Sequence, residues 1–184
     1  MRFNRIQVLA LFSLTKFITA TPLNSRDLTI VSDAITNIIS ALTTFDTSVN
    51  RLPATPFTDI TTTGTAIIST LDTSTTNVLA SQPLTIGDTI NLVTPARNLG
   101  NTANSTLNDL IVRRDSLAIA GEAPAVVTLL EGMKTGSGVF VDAVVSKVPS
   151  ALQGSVRSVS CQVTDAFNRG ITAFGGVVNG TVCV

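Results

Sequence analysis

Apolar residues recur along this chain at steps of three and four. From Leu28 they fall at Leu28, Val31, Ile35, Ile38, Leu42, Phe45, Val49 and Leu52 without interruption. That is the seam of an amphipathic helix, not the two-residue alternation of a strand. Ser25 or Asp27 stands where a cap is needed, and Pro53 stops the run. A second run starts after Pro56, with Thr58 or Asp59 near its cap. It passes through Ile60, Gly64, Ile67, Leu71, Ser74 and Val78 before Pro83. Ile86, Ile90 and Val93 predict short turns. Thr94-Pro95 then opens a third long segment, with Leu99, Ala103, Leu107, Leu110, Ile111, Arg114 and Leu117, that closes near Gly121. A fourth follows from Pro124 through Val126, Leu129, Leu130, Met133, Phe140, Val144 and Val145 to Lys147. A last run after Pro149 carries Leu152, Val156, Val159, Val163 and Phe167.

The abundance of Thr and Ser favours strands by propensity alone. The periodicity overrides it, because each mid-helix Thr opposes helix by only a few tenths of a kcal/mol. Hairpin signals are absent apart from Asn179-Gly180 in the tail. The fold class that follows is all-α: an antiparallel bundle of about four long helices plus one short helix, with short connections. Gly132, Gly136 and Gly138 lie inside the fourth helix. There the helix is either locally loose or closely approached by a neighbour.

The N-terminus reads as an address. Arg2 and Arg5 precede a short apolar stretch, Ile6 to Ala20, interrupted by Lys16 and followed by Thr21-Pro22. This is the pattern of a signal peptide over residues 1–20, too short in its uninterrupted apolar run for a membrane span. Residues 21–184 then form a single helical-bundle domain ending in a Gly-rich tail. The chain is expected to be secreted, to the extracellular space or the cell wall. Asn104-Ser105-Thr106 and Asn179-Gly180-Thr181 are glycosylation sequons. Cys161 and Cys183, the only cysteines, are expected to pair, which would contribute roughly 3 kcal/mol in the chain-entropy model.

Composition narrows the chemistry. The 184 residues are 44% apolar and 13% charged, with formal net charge zero and no His, Trp or Tyr. A nucleic-acid partner would leave a basic footprint, which is missing. Without His there is no Ser–His–Asp or Cys–His catalysis and no His-ligated metal. Asp46 and Asp72 were the one carboxylate pair to weigh for glycosidase chemistry, but scattered Asp on Thr-rich helices usually face water. Gly136-Ser137-Gly138 lacks the nucleophile-elbow pattern, and Gly170 to Gly180 lacks phosphate-loop spacing and its Lys. Arg113-Arg114 sits mid-helix, a poor place for dibasic cleavage. No catalytic residue, metal or cofactor is expected; binding or structure is.

A secretion signal precedes Arg26-Asp27 and a long Val/Ile/Leu heptad helix with Phe45-Asp46 and Val49. A Thr/Ser-rich helix follows, then Leu110-Ile111-Val112-Arg113-Arg114 in a third and Leu129-Leu130 with Lys134 in a fourth. This order resembles the fungal hydrophobic surface-binding protein A family, which includes cell-wall galactomannoproteins, over roughly residues 25–170. The resemblance implies a secreted, non-enzymatic helical bundle that adsorbs to hydrophobic surfaces, with a fatty acid or other lipid chain enclosed in some members. Cell-wall polysaccharide is a second partner class, and a structural mannoprotein without a ligand is the alternative function.

The seams themselves suggest where such a chain would lie. Small or polar residues (Gly64, Ser74, Ala103, Gly136, Ser137, Gly138) recur among large ones, and mixed bulk leaves grooves where native cores are otherwise filled. The expected lining comprises Ile38, Leu42 and Phe45 from the first helix and Ile67 and Leu71 from the second. Leu107 and Leu110 come from the third, Leu129, Met133, Phe140 and Val144 from the fourth, and Phe167 from the last. A bound carboxylate is expected at a bundle end, beside Arg97, Arg113 or hydroxyls.

Overall fold

The computed structural model describes residues 23–54 and 56–178. Among them are five long helices, α1 (Leu23–Asn50), α2 (Phe57–Ala80), α4 (Val93–Val112), α6 (Ala123–Lys147) and α7 (Gln153–Ala173). Two short ones, α3 (Ile86–Asn91) and α5 (Arg114–Ile119), and a 3-10 turn at Ser150–Leu152 lie between them. The fold is an all-α bundle, as the periodicity implies. The last apolar run forms a full-length fifth member. The third segment does not run unbroken to Gly121: the backbone departs from helical geometry at Arg113 and separates α4 from α5.

The long helices close a ring, with α1 against α2 and α4, α2 against α6, α6 against α7, and α7 against α4. Long helices consecutive in sequence run antiparallel. Ring neighbours that are not consecutive run parallel. Along α2 and α6, Gly64 meets Leu129, Ile68 meets Gly132 and Leu71 meets Gly136, a register that rises on both helices together. The glycines of α6 therefore mark close approach at Gly132 and Gly136. Gly138, by contrast, has nothing within 4 Å of where a Cβ would stand.

The Thr-rich helices hold because their hydroxyls turn inward along their own backbone. Thr36, Thr43, Thr44 and Thr47 on α1, and Thr63, Thr65, Thr70, Thr73 and Thr76 on α2, each donate to the carbonyl four residues back at 2.7–3.0 Å. A side chain that ordinarily competes with helix geometry is thereby satisfied within it. Asp27 to Asn50 is long and apolar enough to cross a membrane by composition alone. In the bundle, its Val31, Ile35, Ile38, Leu42, Phe45 and Val49 are buried in the core.

Neither expected cap of α1 serves as one, since the helix is already under way at Leu23. Asp27 is buried within it, and its carboxylate accepts from the Gln82 backbone N–H at 3.0 Å. Helix α2 begins after Pro56 without a side-chain cap, and Thr94-Pro95 falls inside the first turn of α4. The reciprocal capping box belongs to α3, between Thr85 and Asp88.

Several bonds gather helix ends at one pole. The Leu84 N–H donates to the Lys147 carbonyl at 2.7 Å, and Lys147 Nζ donates to the carbonyls of Leu79 and Ser81 at 2.8 and 2.7 Å. Gln153 Nε2 donates to the carbonyls of Val145 and Val148. At the opposite pole Arg113 Nη2 donates to the Asn50 carbonyl at 3.4 Å. The expected signal peptide, Asn179 and Cys183 lie outside the described residues.

Candidate functional site

The packing of the ring is uneven along its length. Toward the Asn50 pole, Phe45, Val49, Ile60, Leu110, Val126, Leu130, Met133 and Ile171 are essentially without solvent contact. Toward the Lys147 pole lies a cavity of about 980 Å³ walled by all five long helices. Ile35, Ile38 and Leu42 of α1 and Ile67 and Leu71 of α2 form one side. Leu99 and Ala103 of α4, Phe140 and Val144 of α6, and Val163 and Phe167 of α7 form the rest. Leu92, Val148 and Leu152 close in from the connections.

The void follows from the side chains available. On α6 the cavity stretch reads Ser137-Gly138, with no bulk to offer, while on α4 Ala96 and Ala103 face in. The helices cannot close over this gap, because the filled half holds them a full core apart. A void this size in apolar walls forfeits dispersion contacts that a native core normally makes. It sits at the upper end of the range for small-molecule sites.

Polarity is graded along the cavity. The wall is chiefly aliphatic and aromatic, with Ser137, Ser160, Gln162 and Thr164 interspersed. The rim carries Arg97, Asn101, Asp142, Ser155, Arg157 and Ser158, all exposed. Ile90 and Val93 belong to the same rim and are also solvent-exposed, at 59% and 40%. The cavity is thus open to solvent at this pole.

Of the twelve residues expected to line a lipid groove, Ile38, Leu42, Ile67, Leu71, Phe140, Val144 and Phe167 line the cavity. Phe45, Leu107, Leu110, Leu129 and Met133 are buried in the filled half and are not part of its wall. Arg97 is at the rim, whereas Arg113 is at the far pole bonded to Asn50. Residues not anticipated include Ile35, Leu99 and Val163, which were on the seams, and Asp142 and Arg157, which carried no signal beyond being charged. Asp46 has Asp109 of α4 beside it rather than Asp72. Burial first, then the Asp109 charge, pushes its carboxyl above the ordinary 3.8, against an opposing hydrogen bond from Asn50. Among the described residues no cluster of three or more potential metal ligands occurs.

The class the fold defines is a helical bundle whose five long helices ring a largely apolar cavity. The family model for hydrophobic surface binding protein A matches residues 28–146, and the chain belongs to that family. It is similar to cell wall mannoprotein 1 of Aspergillus flavus, 24% identical over 177 residues that make up 96% of this chain and 64% of that protein. It is also similar to cell wall mannoprotein 1 of Talaromyces marneffei, 25% identical over 82% of this chain and 33% of the relative. The chain therefore spans between a third and just under two thirds of the length of these relatives. Among solved structures, ligand binding domain 1 of the Penicillium marneffei MP1 protein, complexed with arachidonic acids, superposes with a TM-score of 0.79. It is 26% identical over 82% of this chain and 99% of that one. AFMP4P in complex with palmitic acid shares the fold with a TM-score of 0.68 at 16% identity, over 83% of this chain and 99% of that one.

Proposed function

We propose that this protein is a secreted, non-enzymatic carrier that encloses a fatty acid or similar lipid chain in the hollow half of its bundle. The end-opening cavity of about 980 Å³ carries the reading. The fold likeness to domains solved with arachidonic or palmitic acid supports it. The energetics suffice: about fourteen methylenes at roughly 0.8 kcal/mol each give on the order of 11 kcal/mol gross. Immobilisation and chain ordering take back a large share, leaving micromolar to submicromolar affinity as the expectation. Organic extraction of the purified protein followed by mass spectrometry should recover fatty acids. A chain that copurifies with none and does not bind a fluorescent fatty acid would refute the internal site.

Export by a signal peptide at residues 1–20 and a single binding domain over 21–184 belong to the same proposal. A Cys161–Cys183 disulfide completes it, tying the tail to α7; among the described residues no cysteine is free. The cell-wall relatives favour an extracellular or wall location. They also favour a second reading, a wall mannoprotein with Asn104 and Asn179 glycosylated, whose contacts would be polysaccharide and hydrophobic surfaces. Asn104 is exposed on α4, but the hydroxyl-bearing Thr106 of its sequon is only 2% exposed. Modification there has to precede folding. Intact mass of secreted material separates the readings, since an unglycosylated chain is no mannoprotein.

A further inference from the structure

We propose that the lip formed by α6 and α7 is a carboxylate subsite, at which Arg157 exchanges Asp142 for the headgroup of a free fatty acid. The inference rests on the lipid reading above and adds to it a specificity: acids over their neutral esters.

Only three charged side chains line the cavity, Arg97, Asp142 and Arg157, and all three stand at its rim. Arg157 Nη1 lies 3.6 Å from Asp142 Oδ1, with the two side chains 59% and 72% exposed. An ion pair of that length and exposure is weak and readily exchanged. Arg97 on α4 makes no hydrogen bond or ion pair with any described residue. Of the other arginines, Arg113 between α4 and α5 donates to the Asn50 carbonyl, and Arg169 of α7 donates to Asn104. Two arginines, Arg97 and Arg157, thus stand where the hollow meets water.

The rest of the rim suits an anion. Ser155 and Ser158 add hydroxyl donors from the same turns of α7, and Asn101 adds an amide from α4. Deeper in, the lining is uncharged, chiefly apolar at Phe140 and Phe167, with the neutral polar side chains of Ser137, Ser160, Gln162 and Thr164 among it. A free fatty acid has the same gradient along its length, and threading it tail-first leaves its charge at the solvent edge. Desolvating the charge there costs far less than burial would. Arginine can meet the carboxylate with two parallel N–H bonds, a geometry that the 3.6 Å contact with Asp142 does not achieve. A methyl ester keeps the tail and loses the charge.

The test uses delipidated, full-length secreted protein, with palmitic acid and methyl palmitate competing against a fluorescent fatty acid. Wild type is expected to bind the acid about three- to fivefold more tightly than the ester, near the top of what an exposed charge pair gives. Arg157→Gln should erase most of that ratio by weakening the acid about three- to fivefold while leaving the ester unchanged. Arg157→Lys should restore part of it. Asp142→Asn should tighten the acid two- to threefold, roughly what an exposed pair is worth. Both positions are exposed, and matching melting curves confirm that the variants fold. Equal binding of acid and ester by wild type, or an Arg157→Gln variant that keeps the preference, overturns the subsite and leaves the lipid cavity standing. Failure of both ligands to bind wild type overturns the cavity reading and the subsite with it.

Discussion

Gly64 of α2 lies directly against Leu129 of α6, with no room for a Cβ between them. Introducing one by Gly64→Ala forces Leu129 from a wall that is already filled. A cost of about 1–3 kcal/mol is expected from overpacking, partly offset by the better helix propensity of Ala. Gly138→Ala has the opposite sign, because nothing lies within 4 Å of the new methyl. It should stabilise by about 0.5–1 kcal/mol, and urea denaturation of the two variants measures both.

Asp46 and Asp109 set a pH dependence. The folded-state carboxyl of Asp46 is raised above its ordinary 3.8, so the folded chain holds a proton that the unfolded chain has released. Stability therefore falls as pH rises from 3.8 through the raised value, and remains lower above it. Asp46→Asn removes the titrating group. Its melting temperature should exceed that of wild type at pH 7, with the gap narrowing toward acid pH. A gap that widens on acidification would contradict the assignment.

Lys147 clamps the open pole through its two bonds to the carbonyls of Leu79 and Ser81. Lys147→Met keeps the aliphatic stem and loses both donors, at an expected cost of about 1–2 kcal/mol. Hydrogen exchange should accelerate first over residues 79–92, the segment that leads into α3 and α4. Uniform acceleration across the bundle would argue against a local clamp.

The two halves of the ring should answer differently to changes of volume. Leu110→Ala removes a fully buried side chain from the filled half and should cost about 2–5 kcal/mol. Ala96→Phe projects new bulk from α4 into the hollow. The melting temperature should stay within about 2 °C of wild type, a change on the order of 1 kcal/mol or less. Fatty-acid occupancy, measured by extraction and mass spectrometry, should drop.

How much of this was legible in the chain depended on what each pattern encodes. The steps from Leu28 to Leu52 reported that those residues face an axis, and they do. They carried no information on where along that axis the packing fails, so Phe45 and Leu42, three residues apart on one seam, look alike. One belongs to the filled half and the other to the cavity wall. Seven of the twelve expected lining residues share the cavity, which depends on where the helices stand apart rather than on heptad position. The break at Arg113 had no glycine or proline to announce it. Arg157 and Asp142 read as ordinary solvated charges, and only the meeting of α6 and α7 brings them to one lip. The Thr hydroxyls of α1 and α2 show the converse: composition opposed the helix, and bonding to the carbonyl four residues back removed the objection.

Because tight packing and open space fall to different residues of the same five rods, fastening and reception are carried by separate sets of side chains. Evolution or an engineer can repaint the vestibule for longer, kinked or bulkier guests while the far end keeps the staves together, as a hilt holds whatever blade is fitted to it.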